Sequence, residues 1–274
     1  MSANQMTFGA EGSPRVTVEI RDHVAHVTLV RSDKMNAVDT PMAEALAAAG
    51  EALMARTEVR CVLMRGEGRA FCAGLDVASF AEFAGTDPEA RVMPRTHGDC
   101  NLYQQLCLVW RALPVPVIAA LHGVAFGAGF QLAIAADVRI AHPETQLAIM
   151  EAKWGLVPDM GGMVILPQLI RSDVLRLMTY TAEPVEAAQA LDWGLVTELA
   201  EDPLARAEAL AASIAGRSPS ATRAAKRLIG LAESGASAET VLYEESREQA
   251  ALIGGKDQRE VIAANMQGRA PTFD

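Results

Sequence analysis

The chain has 274 residues, half of them hydrophobic, with 34 acidic against 24 basic side chains and a formal net charge of -10. That length and composition imply a globular protein of one large or two smaller domains with a sizeable core, and the acidic balance argues against a general nucleic-acid or membrane-surface binder. Cys61, Cys72, Cys100 and Cys107 show no CxxC pairing and no metal-ligand spacing, which implies reduced thiols, a cytoplasmic setting and no metal site.

Residues 1–15 read as a disordered lead-in without an apolar signal-peptide core. Val16–Ile20 and Val24–Val30 read as strands joined by a turn at His23. RSDKMNA, Arg31 to Ala37, is a loop. Thr40 caps a helix with Pro41 at its first position, and Met42, Ala45, Leu46, Ala49 and Leu53 give it a 3.6-residue apolar stripe. Cys61–Met64 is a buried strand that runs into GEGRAFCAGLD, Gly66 to Asp76. Strand, helix, strand and glycine loop suggest a crossover unit. Gly85–His97 reads as an exposed mobile loop, and Asp99 as the cap of a helix that ends near Arg111.

The longest segment without Asp, Glu, Lys or Arg runs from Ala112 to Ala136. Prolines, His122, Gln131 and glycines divide it into strand, turn and helix, so it is not a membrane span. Within it, LHGVAFGAGFQLAIAAD, Leu121 to Asp137, organises the chain. A strand turns through Gly123, Gly127 and Gly129 into a helix. Such a turn leaves N–H groups unpaired where the helix dipole favours negative charge; the same glycines also suit close packing of helix on sheet. Val138–Ala141, Leu147–Met150 and Leu195–Leu199 read as further strands and Glu183–Ala190 as a short helix. The expected division is an α/β core over 16–200 and a helical C-terminal portion over 201–274.

Two further segments carry candidate chemistry. In FCAGLD, Phe71 to Asp76, Gly74 permits a tight turn that exposes the next N–H, and Asp76 is either a substrate contact or a helix N-cap. In IMEAKWGLVPD, Ile149 to Asp159, strand alternation puts Glu151 in phase with Leu147 and Ile149. A carboxylate on that buried face would have a raised pKa and suit acid–base work. If the strand instead ends at Met150, Glu151 is solvated; Asp159 after Pro158 is equally a loop or cap residue. GxSxG, Walker and HExxH patterns are absent, and the glycine spacing does not give a dinucleotide fingerprint.

In order and spacing these segments resemble the crotonase superfamily, the enoyl-CoA hydratases and isomerases. RSDKMNA is similar to that family's early R-x-x-x-x-N-A loop, and FCAGLD and HGVAFGAGFQLAIAAD to its two oxyanion-hole segments. EAKWGLVPDMGG is similar to its catalytic loop, and SPSATRAAKRLI and RAPTF to its C-terminal helices and tail. The resemblance implies a spiral of β-β-α units with C-terminal helices that serve a trimer or a dimer of trimers. It implies an acyl-CoA thioester substrate and no metal or organic cofactor. By position, the thioester oxygen would sit between the N–H groups of Leu75 and Ala128, with Ala73, Asp76, Gly127 and Gln131 as further substrate-binding positions.

The resemblance also bears on the reaction. Hydratases of the family use two glutamates; Glu151 matches the second, but Gln131 stands at the first. Asp159 matches the aspartate that dienoyl-CoA isomerases pair with a glutamate at the Glu151 position, although those enzymes carry an aspartate where this chain has Gln131. The expectation is double-bond isomerisation of an enoyl- or dienoyl-CoA through Glu151 and Asp159. The alternatives are hydration of a 2-enoyl-CoA and non-catalytic acyl-CoA binding on the same fold. On the hydratase reading, Gln131→Glu would raise water addition, because an amide cannot act as a base.

Overall fold

The computed structural model describes residues 4–79 and 85–273. Its larger sheet orders Gln5–Ala10 (β1), Ser13–Arg21 (β2), Val24–Leu29 (β3), Cys61–Gly66 (β4), Val117–Leu121 (β5), Val138–Ala141 (β7) and Glu198–Leu199 (β10) side by side. β1, β2 and β3 are antiparallel neighbours, and from β3 to β10 every pairing is parallel. A smaller sheet joins Val124–Phe126 (β6), Gln146–Ala148 (β8) and Val185–Glu186 (β9).

The two sheets are linked turn by turn. After β5 and β7 the chain drops into the short strands β6 and β8, which pair in parallel. After β3 and β4 it makes single parallel bridges instead, Val38 to Leu75 and Cys72 to Ala125. Long strand, short strand and helix thus repeat as a spiral, as expected. Parallel strands need crossovers, and the helices supply them: Thr40–Met54 (α1), Leu102–Ala112 (α3) and Ala128–Ile134 (α4). β5 is buried at all five positions, as a strand covered on both faces must be. One face packs on α1, α3 and α4, with Trp110, Leu46 and Phe130 at the centre. On the other face Ala207, Ala211 and Ala215 of Pro203–Ala215 (α8) pack on Leu63, Ile118 and Ile140. The division at residue 200 is therefore one of composition: the first C-terminal helix completes the core.

Several local expectations are corrected. Residues 5–10 are not a disordered lead-in; β1 pairs with β2, and Met6 and Phe8 pack against the core. Asp39, not Thr40, caps α1, its carboxylate accepting from Met42 N at 2.8 Å. Asn101, not Asp99, caps α3 in a reciprocal box with Gln104. Gly85–His97 contains a short helix, Pro88–Val92 (α2), capped by Asp87. The strand expected over Leu147–Met150 is β8, which ends at Ala148. The helix expected over Glu183–Ala190 is Ala187–Asp192 (α7), preceded by β9, and the Leu195–Leu199 strand shortens to β10. All four cysteines are free thiols. Among the described residues no helix is long and apolar enough to cross a membrane.

Candidate active site

An open cavity of about 620 Å³ brings the three sequence-predicted segments together. Its wall includes Ala73, Gly74, Leu75 and Asp76 from the first segment, Phe126, Gly127 and Ala128 from the second, and Glu151 and Asp159 from the third. Met35, Val77, Met150, Trp154, Leu156 and Val157 make the remainder largely apolar.

The first two segments meet through backbone contacts. Phe71 N donates to His122 O, Cys72 N to Val124 O, and Phe126 N returns to Cys72 O. Asn36, fully buried, holds the loop from behind: its amide nitrogen donates to the carbonyls of Glu67, Ala70 and Phe71 at 2.9–3.1 Å. Gly74 lies at φ +102°, where a Cβ would meet Phe126 O at 2.8 Å and Ala128 N at 3.9 Å. Only glycine lets the two turns approach so closely.

Val38 N bonds to Gly74 O and Asp76 N to Val38 O, so the Leu75 amide between them is left over. Ala128 is the first residue of α4, where an N–H has no intrahelical acceptor. Among the described residues neither amide donates a hydrogen bond. Two free N–H groups thus border one cavity, close to Gly74.

Glu151 does not arrive on a strand. After β8 the chain enters a 3₁₀ turn, Glu151–Trp154, and Glu151 is its first residue. The expectation of strand phase fails in its route, yet the carboxyl is neither buried on a sheet nor solvated. Glu151 lies 3.7 Å through Oε1 from the position a Cβ on Gly127 would take. Oε1 accepts from Gln131 Nε2 at 2.6 Å, while Oε2 is buried without a partner. Burial pushes its pKa up, and the negative charge of Asp159 adds to this; nearby backbone N–H groups and the Gln131 amide oppose the rise without cancelling it.

Asp159 is open to the cavity, yet protein surrounds it closely enough that desolvation raises its pKa as well. No described cation pairs with either group. Asp76 differs. Its carboxylate accepts from Ala78 N at 3.0 Å and pairs with Arg31 at 2.7 Å. Burial works against its charge, but those bonds outweigh it and lower the pKa. Asp76 lines the cavity, with its oxygens already committed to protein partners.

Gln131 is placed differently from the expected substrate contact. It is buried behind Glu151 and is not part of the cavity wall. Sequence reasoning also missed the work of Asn36, although it quoted its loop, and the Met160 and Gly162 amides that bond Gln131. The MGG run after Asp159 was the available signal.

A family model described as enoyl-CoA hydratase/isomerase matches residues 19–274. The Bacillus subtilis protein YngF, named for enoyl-CoA hydratase/isomerase, is 33% identical over 92% of this chain and 95% of its own. The mouse mitochondrial Delta(3,5)-Delta(2,4)-dienoyl-CoA isomerase is 32% identical over 74% of this chain and 64% of its own. Among solved structures, an enoyl-CoA hydratase from Mycobacterium tuberculosis H37Rv is similar at a TM-score of 0.83, with 30% identity over 96% of this chain and 99% of that one.

Proposed function

Since the chain belongs to the enoyl-CoA hydratase/isomerase family, which shares the crotonase fold, we propose that it is an acyl-CoA isomerase that moves a double bond of an enoyl- or dienoyl-CoA by proton transfer through Glu151 and Asp159. The thioester oxygen accepts from the N–H groups of Leu75 and Ala128, which carry the charge of the enolate. One such donor is worth roughly 3–4 kcal/mol of transition-state stabilisation in enzymes that use one. Ionised Glu151 removes a proton from one carbon. The electron pair shifts along the acyl chain, and neutral Asp159 delivers a proton at another carbon. The substrate loses one proton and gains one; Glu151 ends protonated and Asp159 ionised, and proton exchange with solvent restores both before the next turnover.

The observation that carries the reading is the state of the cavity's acid–base groups. Two carboxyls whose pKa values are raised by burial border it, and no described cation pairs with either, so both are shifted toward the form that can hold a proton. Hydration is the second reading, favoured by the hydratases among the similar structures. It needs a second group that orients water beside Glu151. Gln131 has its oxygen bonded to two loop amides and its nitrogen to Glu151, and is walled off from the cavity. That geometry supports isomerisation over hydration.

The test is product analysis over saturated, enoyl and dienoyl thioesters in deuterated water. Isomerised product with deuterium at the α or γ carbon is expected. A 3-hydroxyacyl product from 2-enoyl thioesters at a rate typical of good enzymes would favour the hydratase, and no exchange on any thioester would favour a binder. The assembly proposed is a trimer or dimer of trimers; Ile229, Leu242, Tyr243 and Ile262 of the C-terminal helices are exposed and suit a protein contact. Light scattering that gives a monomer at micromolar concentration would refute it.

A further inference from the structure

Gln131 is 1% exposed, and its side-chain amide makes three hydrogen bonds. Met160 N and Gly162 N donate to its oxygen at 2.9 and 3.0 Å, and its nitrogen donates to Glu151 Oε1 at 2.6 Å. Backbone N–H groups can only donate. The two loop amides therefore decide which end of the Gln131 amide is oxygen, and the NH₂ group must face Glu151. An oxygen that accepts from that NH₂ has no room for a proton on the same lone pair. Oε2 is buried and has no partner.

We infer that Gln131 is a positioning residue: its NH₂ group fixes the Glu151 carboxyl through Oε1 and offers that carboxyl a donor with no proton to exchange. Only the substrate of Glu151 rests on the proposed function. The same residue ties the turn that bears Glu151 to the loop that bears Asp159, because Met160 directly follows Asp159. One buried amide thereby sets the position of both carboxyls.

A glutamate at position 131 would do more than add a base. One of its oxygens would keep the two N–H donors, which hold it ionised. The other would face Glu151 Oε1 at the separation where the amide now donates, and two carboxylates so close share a proton. Glu151 would then stay protonated to higher pH. The remaining titratable groups around Glu151 are Asp159, the buried Cys107 thiol of α3 and Lys153 on its own turn. The helix Ser172–Thr181 (α6), which packs on that turn, carries Asp173 and Arg176, both exposed and bonded to Arg171 and Tyr180.

The experiment is the carboxyl titration of Glu151 in the full chain without substrate, followed by carbon-13 NMR of glutamate-labelled protein and assigned with Glu151→Gln. It is read for the native protein, Gln131→Glu and Gln131→Met. Gln131→Glu should raise the Glu151 pKa by about one unit or more. Gln131→Met removes a bond to the charged form and should raise it by less. The ascending limb of the isomerisation kcat/KM profile should move upward in step. If Gln131→Met fails to fold, Gln131→Glu still decides, because it keeps the acceptor for both loop amides. An unmoved Glu151 titration in folded Gln131→Glu would overturn the inference. A shifted titration in a protein that turns over no thioester would uphold the positioning role and count against the isomerase reading alone.

Discussion

Two pairs of acidic residues on this protein differ in the partners around them. Asp39 and Asp76 lie in a chain of charges with Arg15 and Arg31: Arg15 pairs with Asp39 at 2.8 Å, and Arg31 reaches Asp76 at 2.7 Å and Asp39 at 3.4 Å. Burial opposes the charge of both, but guanidinium and backbone N–H groups outweigh it and hold both pKa values low. Glu151 is half-buried and Asp159 opens to the cavity; no described cation pairs with either, and desolvation raises both. The first pair is fixed in one charge state and serves structure. The second is shifted toward the protonated form, the direction a proton-transfer site requires.

The strongest way to break this contrast is to remove charge from the second pair. Glu151→Gln should lower turnover and deuterium exchange by about 10²–10⁴-fold, while calorimetry shows the acyl-CoA still bound. Exchange at the native rate would place the base elsewhere. Ala128→Pro deletes one N–H at the first turn of α4, a position whose backbone suits proline. A loss of about 10²–10³-fold in kcat is expected; full activity in a folded variant would remove Ala128 from the oxyanion site.

The first pair should answer in stability. Arg15→Met leaves Asp39 with a weaker set of partners and should cost about 1.5–3 kcal/mol, the range for hydrogen bonds to charged groups, by urea unfolding at neutral pH. Since the Asp39 pKa is lowered on folding, its contribution is present above the unfolded value and is lost as pH falls through the folded one. The native protein and Arg15→Met should therefore converge in stability as the solution is acidified. A difference that is constant with pH would show that the pair is not the source.

The smallest effect expected is a gain. The raised pKa of Glu151 means that the folded state disfavours its charge, so stability declines as pH rises from the unfolded toward the folded pKa. Neutral Glu151→Gln should then be the more stable protein at pH 8, by about 2–4 °C in Tm for each kcal/mol regained. A lower Tm would mean that the carboxylate earns more from its neighbours than burial costs it.

How much of this was legible beforehand follows the range of the interactions. The glycine turns, the α1 stripe and the three site segments are local patterns, and the sequence carried them plainly. For Glu151 the periodicity left two readings, buried in phase with the strand or solvated beyond its end; β8 ends at Ala148 and a 3₁₀ turn delivers the side chain to a half-buried position, and no period in the sequence marks that change. The orientation of Gln131 depends on amides 29 and 31 residues away, and the Asn36 clamp on carbonyls 31–35 residues away. Such bonds exist only once the spiral has brought its turns together. The strand at residues 5–10 is ordered by its ladder with β2, a pairing that the segment does not show by itself.

The central claim is that two carboxyls, not one, move the proton. It is tested most directly by comparing Asp159→Asn with Glu151→Gln for dienoyl-CoA isomerisation in deuterated water, with substrate binding measured in parallel. The account predicts that each variant binds the thioester and that each loses at least about 10²-fold in isomerisation. Intact isomerisation by Asp159→Asn beside an inactive Glu151→Gln would contradict it and leave Glu151 as a single base that both takes and returns the proton.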